Sequence, residues 1–137
     1  MENLGLYMIY VVEGIFVLLL LYAGVFSYKF PMNYQTALDY LMPEGKYYTS
    51  MLRYPHYSSK RALLSKDNWD YAQKAYGKYL LLFAGVQTVI GVFWRPLAEL
   101  AMATLKSDNA GMAVVTCPII LFFILSNILT EVKLRRY

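Results

Sequence analysis

Apolar positions gather into three long runs separated by polar stretches. The first runs from Gly5 to Ser27 and holds one charge, Glu13. The second runs from about Tyr76 to Trp94, with Lys78 near its start and Gln87 and Thr88 within it. The third runs from Ala110 to Thr130 and holds no charge. An apolar helix of roughly 20 residues spans the hydrocarbon layer. In lipid a lone segment satisfies its backbone only as a helix. The pattern therefore predicts an all-α integral membrane protein. Its single membrane domain over 1–137 has transmembrane helices at about 5–27, 76–94 and 110–130. A loop (28–75), a second loop (95–109) and a tail (131–137) complete it.

Within the long loop, Asn33 reads as the N-cap of a short helix over Tyr34–Met42, ended by Pro43-Glu44-Gly45. Tyr34, Ala37, Leu38 and Leu41 share one face of it. That face would lie in the headgroup plane or pack on the protein's own helices. Ser65 caps a further helix, and Asp67 suits the positive end of its dipole. Trp69, Ala72, Tyr76, Leu80 and Phe83 form a stripe that carries this helix into the second span, with Trp69 near the membrane interface. Gly77 suggests close helix packing or a slight bend. Arg95-Pro96 breaks or kinks the second span, Leu97–Leu105 reads as a short surface helix, and Ser107-Asp108-Asn109 as a turn and cap. Cys117-Pro118 predicts a kink in the third span.

Charge sets the expected orientation. Of 13 Lys and Arg, eight lie between Tyr28 and Lys78, three follow the last span, two lie between the second and third spans, and none precedes the first. Basic residues are retained in the cytoplasm. The long loop and C-terminus are thus expected inside and the N-terminus outside. No Lys or Arg precedes the first run, which is also too long for a signal peptide's apolar region, so it reads as a retained helix.

Composition narrows the function classes. Hydrophobic residues make up 58% and charged residues 16%, which argues against a soluble enzyme with one core. The net charge of +4 is accounted for by a basic face against anionic lipid, without nucleic acid. The single cysteine, Cys117, and single histidine, His56, give neither disulfide nor metal spacing. Nucleotide-binding glycine loops, His-Glu-x-x-His and Gly-x-Ser-x-Gly are absent from the sequence, so no enzyme, cofactor or metal is expected. No Gly-x-x-x-Gly pair occurs either.

Glu13 is the sharpest single candidate. An intramembrane carboxylate is costly and should face a partner or water. Gln87 and Thr88, or Ser126 and Asn127, are the available hydrogen-bonding groups. Such a carboxyl serves as a proton or cation site, as a contact for a toxin or partner helix, or as glue between helices.

The stretch from Tyr57 to Lys78 resembles the signature of the SdpI/YhfL family of small bacterial membrane proteins. That signature reads roughly Gly-Tyr-Arg-Thr, then Ser-Met, a Trp, an Ala and a Gly-Lys entering a span. Tyr57, Trp69, Ala72, Gly77 and Lys78 match it, and Pro31 and Asn33 resemble the Pro and Asn that precede it. His56-Tyr57-Ser58-Ser59 stands where the family has Gly-Tyr-Arg-Thr, and Arg61 follows three positions late. About 20 residues between Asn33 and Tyr54 read as an insertion. The resemblance implies a bacterial inner-membrane protein acting by binding, in immunity to a membrane-active toxin or in signalling. Its hypothetical binding residues are Glu13, Trp69, Tyr57 and Arg61. Expected partners are the lipid bilayer and another membrane protein or peptide toxin, with an oligomer possible. The other readings are an accessory subunit of a larger membrane transporter or enzyme, and a minimal oligomeric transporter built around Glu13.

Overall fold

The computed structural model describes residues 2–42, 57–106 and 110–137. Pro43-Glu44-Gly45, His56 and Ser107-Asp108-Asn109 lie outside them. Among the described residues there are five α-helices and no strand: α1 (Glu2–Lys29), α2 (Tyr34–Leu41), α3 (Lys66–Val92), α4 (Trp94–Leu105) and α5 (Ala110–Arg136). Three of these are long and apolar enough to cross a membrane: α1, α3 and α5. Large apolar side chains stand exposed along them, among them Leu18, Leu82, Val89 and Ile124. Such surface suits lipid and is out of place in water.

The local signals act as their chemistry dictates. The Asn33 side chain accepts from the Gln35 amide at 2.9 Å and starts α2. The Ser65 hydroxyl accepts from the Asn68 amide at 3.0 Å and starts α3, with Asp67 in its first turn. Between them, Ala62–Leu64 make one 3-10 turn. α3 then continues unbroken through Gly77 to Val92. Pro96 falls in the first turn of α4, where a missing amide proton costs nothing, so α4 starts at Trp94 rather than at the expected Leu97. Lys106 adopts the left-handed conformation, φ 51°, and closes α4. Pro118 is carried inside α5, which stays a single helix through Arg136.

α3 is the central helix, flanked by α1 and α5, while α4 folds back along α5. The core runs from Leu20 and Ala23 of α1 through Trp69, Ala72, Tyr76, Leu80 and Ala84 of α3 to Ile119 and Phe122 of α5. Phe83 stacks on Phe122 with ring centroids 4.8 Å apart. At Gly77 α1 and α3 approach closely. A Cβ there would lie 2.7 Å from the Gly24 carbonyl oxygen and 2.8 Å from the Tyr28 backbone nitrogen. Close packing, rather than an interruption of the helix, explains this glycine.

The two alternatives for α2 are separated by burial. Ala37 and Leu41 are fully buried and belong to the same core as Trp69. Tyr34 donates its hydroxyl to the Leu63 carbonyl at 2.9 Å. The apolar face of α2 packs on the protein itself.

Candidate functional site

Two polar sites arise at opposite ends of the helix bundle. The first forms where the loop meets α3 and α5. Tyr57 is 3% exposed, with its ring 5.4 Å from that of Tyr76. Its hydroxyl donates to Oε2 of Glu131 at 2.7 Å, and Arg61 Nε donates to Oε1 of the same carboxylate at 3.0 Å. Arg135, one turn further along α5, stands 4.0 Å from that Oε1. One carboxylate thus gathers a phenol and two guanidinium groups.

The backbone at Tyr57 is held from the other side. Gln73 of α3 accepts from the Tyr57 amide at 3.0 Å and donates its own amide to the Tyr57 carbonyl. Both ends of the Gln73 side chain are therefore used, and the residue is fully buried. This clamp works like a short sheet ladder made by one side chain. It fixes where the Tyr57 ring and hydroxyl point.

Trp69 lies one turn before Gln73 on α3. Its ring is 1% exposed, and its indole nitrogen donates to the Met32 carbonyl at 2.7 Å. The ring sits inside the protein rather than on a lipid-facing belt at the interface. It ties the segment between α1 and α2 to α3. A groove of about 450 Å³ opens beside Tyr57, lined also by Ser58, Ser59, Asn127, Glu131 and Arg135. Its lining mixes apolar surface with one carboxylate and one guanidinium.

The second site is Glu13. It is 6% exposed and receives a hydrogen bond from Gln87 Nε2 on its Oε2 at 2.7 Å. The same amide reaches the Val115 carbonyl of α5 at 3.3 Å, so the contact links all three long helices. Gly91 makes room for it, since a Cβ there would lie 2.7 Å from the carboxyl. The other groups weighed as partners are spent on their own helices. Thr88, Ser126 and Asn127 each donate to the carbonyl four residues back.

Of the four residues singled out from the sequence, Tyr57, Arg61 and Trp69 belong to the loop junction, and Glu13 stands apart near the α4 end. Glu131 and Gln73 are the residues that sequence reasoning missed. The available signal for Glu131 was its position as the one acid in a basic tail. Gln73 could have been suspected as a polar residue flanked by the Ala72 and Tyr76 positions of a buried stripe. Among the described residues no group of three His, Cys, Asp or Glu side chains gathers where a metal could sit.

Compared with known proteins, no family model matches the chain, and neither a curated protein nor a solved structure matches it.

Proposed function

We propose that the chain is a small SdpI-like membrane protein of the bacterial inner membrane that acts by binding, in immunity or signalling. In this reading the N-terminus lies outside, and the loop and C-terminus lie in the cytoplasm. The observation that carries it is the junction itself. Tyr57 and Trp69, both positions of the resembled signature, are firmly held where the loop enters α3, and Arg61 joins Tyr57 on the Glu131 carboxylate. The resembled pattern has its arginine directly after the tyrosine. Here Arg61 meets the same carboxylate as Tyr57, which supports an equivalent local role from a shifted position. The groove next to them offers a partner both charge signs and an apolar floor.

The experiment is a challenge assay. Cells with and without the gene are exposed to membrane-active peptides, and survival is scored beside membrane abundance of the protein. Protection that is lost in Arg61→Ala or Glu131→Ala at unchanged abundance supports binding at the junction. Comigration of the wild-type protein with a larger complex on native gels, together with no protection, favours the accessory-subunit reading instead.

A further inference from the structure

Beside Glu13 the α1–α3 seam opens sideways. A groove of about 460 Å³ is lined by Tyr10, Gly14, Val17 and Leu18 of α1 and by Thr88 and Val92 of α3, with Glu13 among them. That volume falls in the roughly 300–1,000 Å³ range of small-molecule sites. Gly14 borders it, and a Cβ at that position meets no atom within 4 Å. Most of the lining surface is apolar, and Leu18 and Val92 are 66% and 71% exposed. In a membrane that mouth faces lipid tails.

Glu13, at the polar end of the groove, has its Oε1 buried without a hydrogen-bond partner. Oε1 of Gln87, outside the groove lining, is likewise unpaired, and its amide nitrogen is already committed to Glu13 and Val115. Both unpaired atoms are oxygens of carbonyl type. Buried oxygens of this kind are ordinarily satisfied, and leaving one unpaired is costly. With Glu13 ionised, what the site lacks is a donor. An ammonium group supplies three donors and the charge that matches a carboxylate.

Depth fits the same ligand. Tyr10 and Trp94 meet edge to face with centroids 6.3 Å apart, and such aromatic pairs mark the interfacial level of a membrane. Glu13 lies one turn below Tyr10 on α1, about 5 Å along the axis. A head held there stays near the headgroup zone, while an alkyl tail follows Val17 and Leu18 into the hydrocarbon. We propose that this groove is a lateral binding site for a single-chain amphiphile with a primary ammonium head, entered from the bilayer. The site is separate from the loop junction and does not rest on the function proposed there.

The test uses full-length protein in phosphatidylcholine nanodiscs and a dodecylamine carrying a diazirine on its chain. Dodecanol and dodecanoate with the same diazirine serve as controls. After irradiation, the amine should label peptides from Tyr10–Leu18 and Thr88–Val92, and unlabelled dodecylamine should compete. The alcohol and carboxylate should label there at least about tenfold less, the weight of a charge-assisted hydrogen bond. Glu13→Gln should lower amine labelling by a similar factor. Gly14→Phe, which fills the groove while leaving Glu13 in place, should abolish it. Glu131→Ala, at the far junction, should leave labelling unchanged whether or not that residue matters for protection. Equal labelling by all three heads, or full labelling in Gly14→Phe, would overturn the proposal. So would recovery of cross-links only between two copies of the chain.

Discussion

The Tyr57 hydroxyl and the Glu131 carboxylate, 74 positions apart in the chain, meet at 2.7 Å and fasten the end of the loop to the end of α5. The bond gains from its setting, because the Gln73 clamp has already fixed the Tyr57 backbone. Arg61 adds charge to the same acceptor, although its side chain is 43% exposed and such pairs contribute little alone. The tyrosine is therefore the stronger tie, and the arginine the part more available to a partner.

Removing the tie should be visible in stability. Tyr57→Phe keeps the buried ring and loses only the hydroxyl, at about 1 kcal/mol. Glu131→Leu removes the acceptor and the Arg61 pair with it, so it should cost more, and the double variant little more than Glu131→Leu alone, since the tyrosine bond is already lost there. Unfolding in mixed micelles checks this. Strictly additive losses would mean that the two residues act independently.

Trp69→Ala should be far more damaging than Tyr71→Ala. The first empties a fully buried site and removes the bond to Met32, a change of about 3–5 kcal/mol for a large aromatic. Tyr71 is half-buried at the edge of the core and stacks on Tyr137 with ring centroids 4.2 Å apart. Thermal unfolding in detergent would show the difference as a much lower Tm for the tryptophan variant. Comparable Tm values for both would contradict the anchoring role of Trp69.

The glycines divide by what they touch. Gly77→Ala places a methyl against the Gly24 carbonyl and the Tyr28 backbone, neither of which yields easily, so α1 and α3 must separate. Gly85 has open space around its Cβ position, and Gly85→Ala should be neutral or stabilising by up to about 1 kcal/mol. Paired unfolding curves check the ordering. A silent Gly77→Ala would remove the close α1–α3 approach as an explanation for that glycine.

These residues also show why some features were legible in the sequence and others were not. Spans and helix starts depend on neighbours in the chain. Apolar runs, Asn33 and Ser65 therefore announced α1, α2, α3 and α5, although α5 runs on through the expected tail to Arg136. Glu13 and Gln87 stood out because a polar group in an apolar run must find a partner. Glu131 did not stand out, because its run is already charged and its partners lie 74 and 70 positions away. Trp69 was legible as an anchor but not as a fully enclosed one, since its acceptor is the carbonyl of Met32, which no side-chain pattern reveals. The destination of α2 was equally hidden: an apolar face reads the same whether lipid or protein covers it.

The proposed orientation rests on the charge count and is open to a direct check. A reporter fused after Tyr137 and another inserted within residues 44–50 should both report cytoplasm, given eight Lys and Arg from Tyr28 to Lys78 and three in the tail against two in the second loop. A periplasmic signal at either site would reverse the proposed orientation, and the junction groove would then face outward.

The Glu13–Gln87 pair separates a bond from a charge. Glu13→Gln keeps the size and an acceptor for Gln87 Nε2, so folding should be almost unchanged even where ammonium binding is lost. Glu13→Leu removes the short bond and leaves Gln87 with only the longer contact to Val115, at 3.3 Å. Leaving that buried amide poorly satisfied should cost around 1–3 kcal/mol. Gln87→Leu should cost a like amount by stranding Glu13 instead. Combining Glu13→Leu with Gln87→Leu removes both polar groups from an apolar setting, and replacing both partners can be nearly neutral. The double variant should therefore recover most of the stability lost in either single one, as read by unfolding in mixed micelles. A double variant worse than both singles would mean that the pair is not the unit that matters at this site, and that each side chain has a separate partner there.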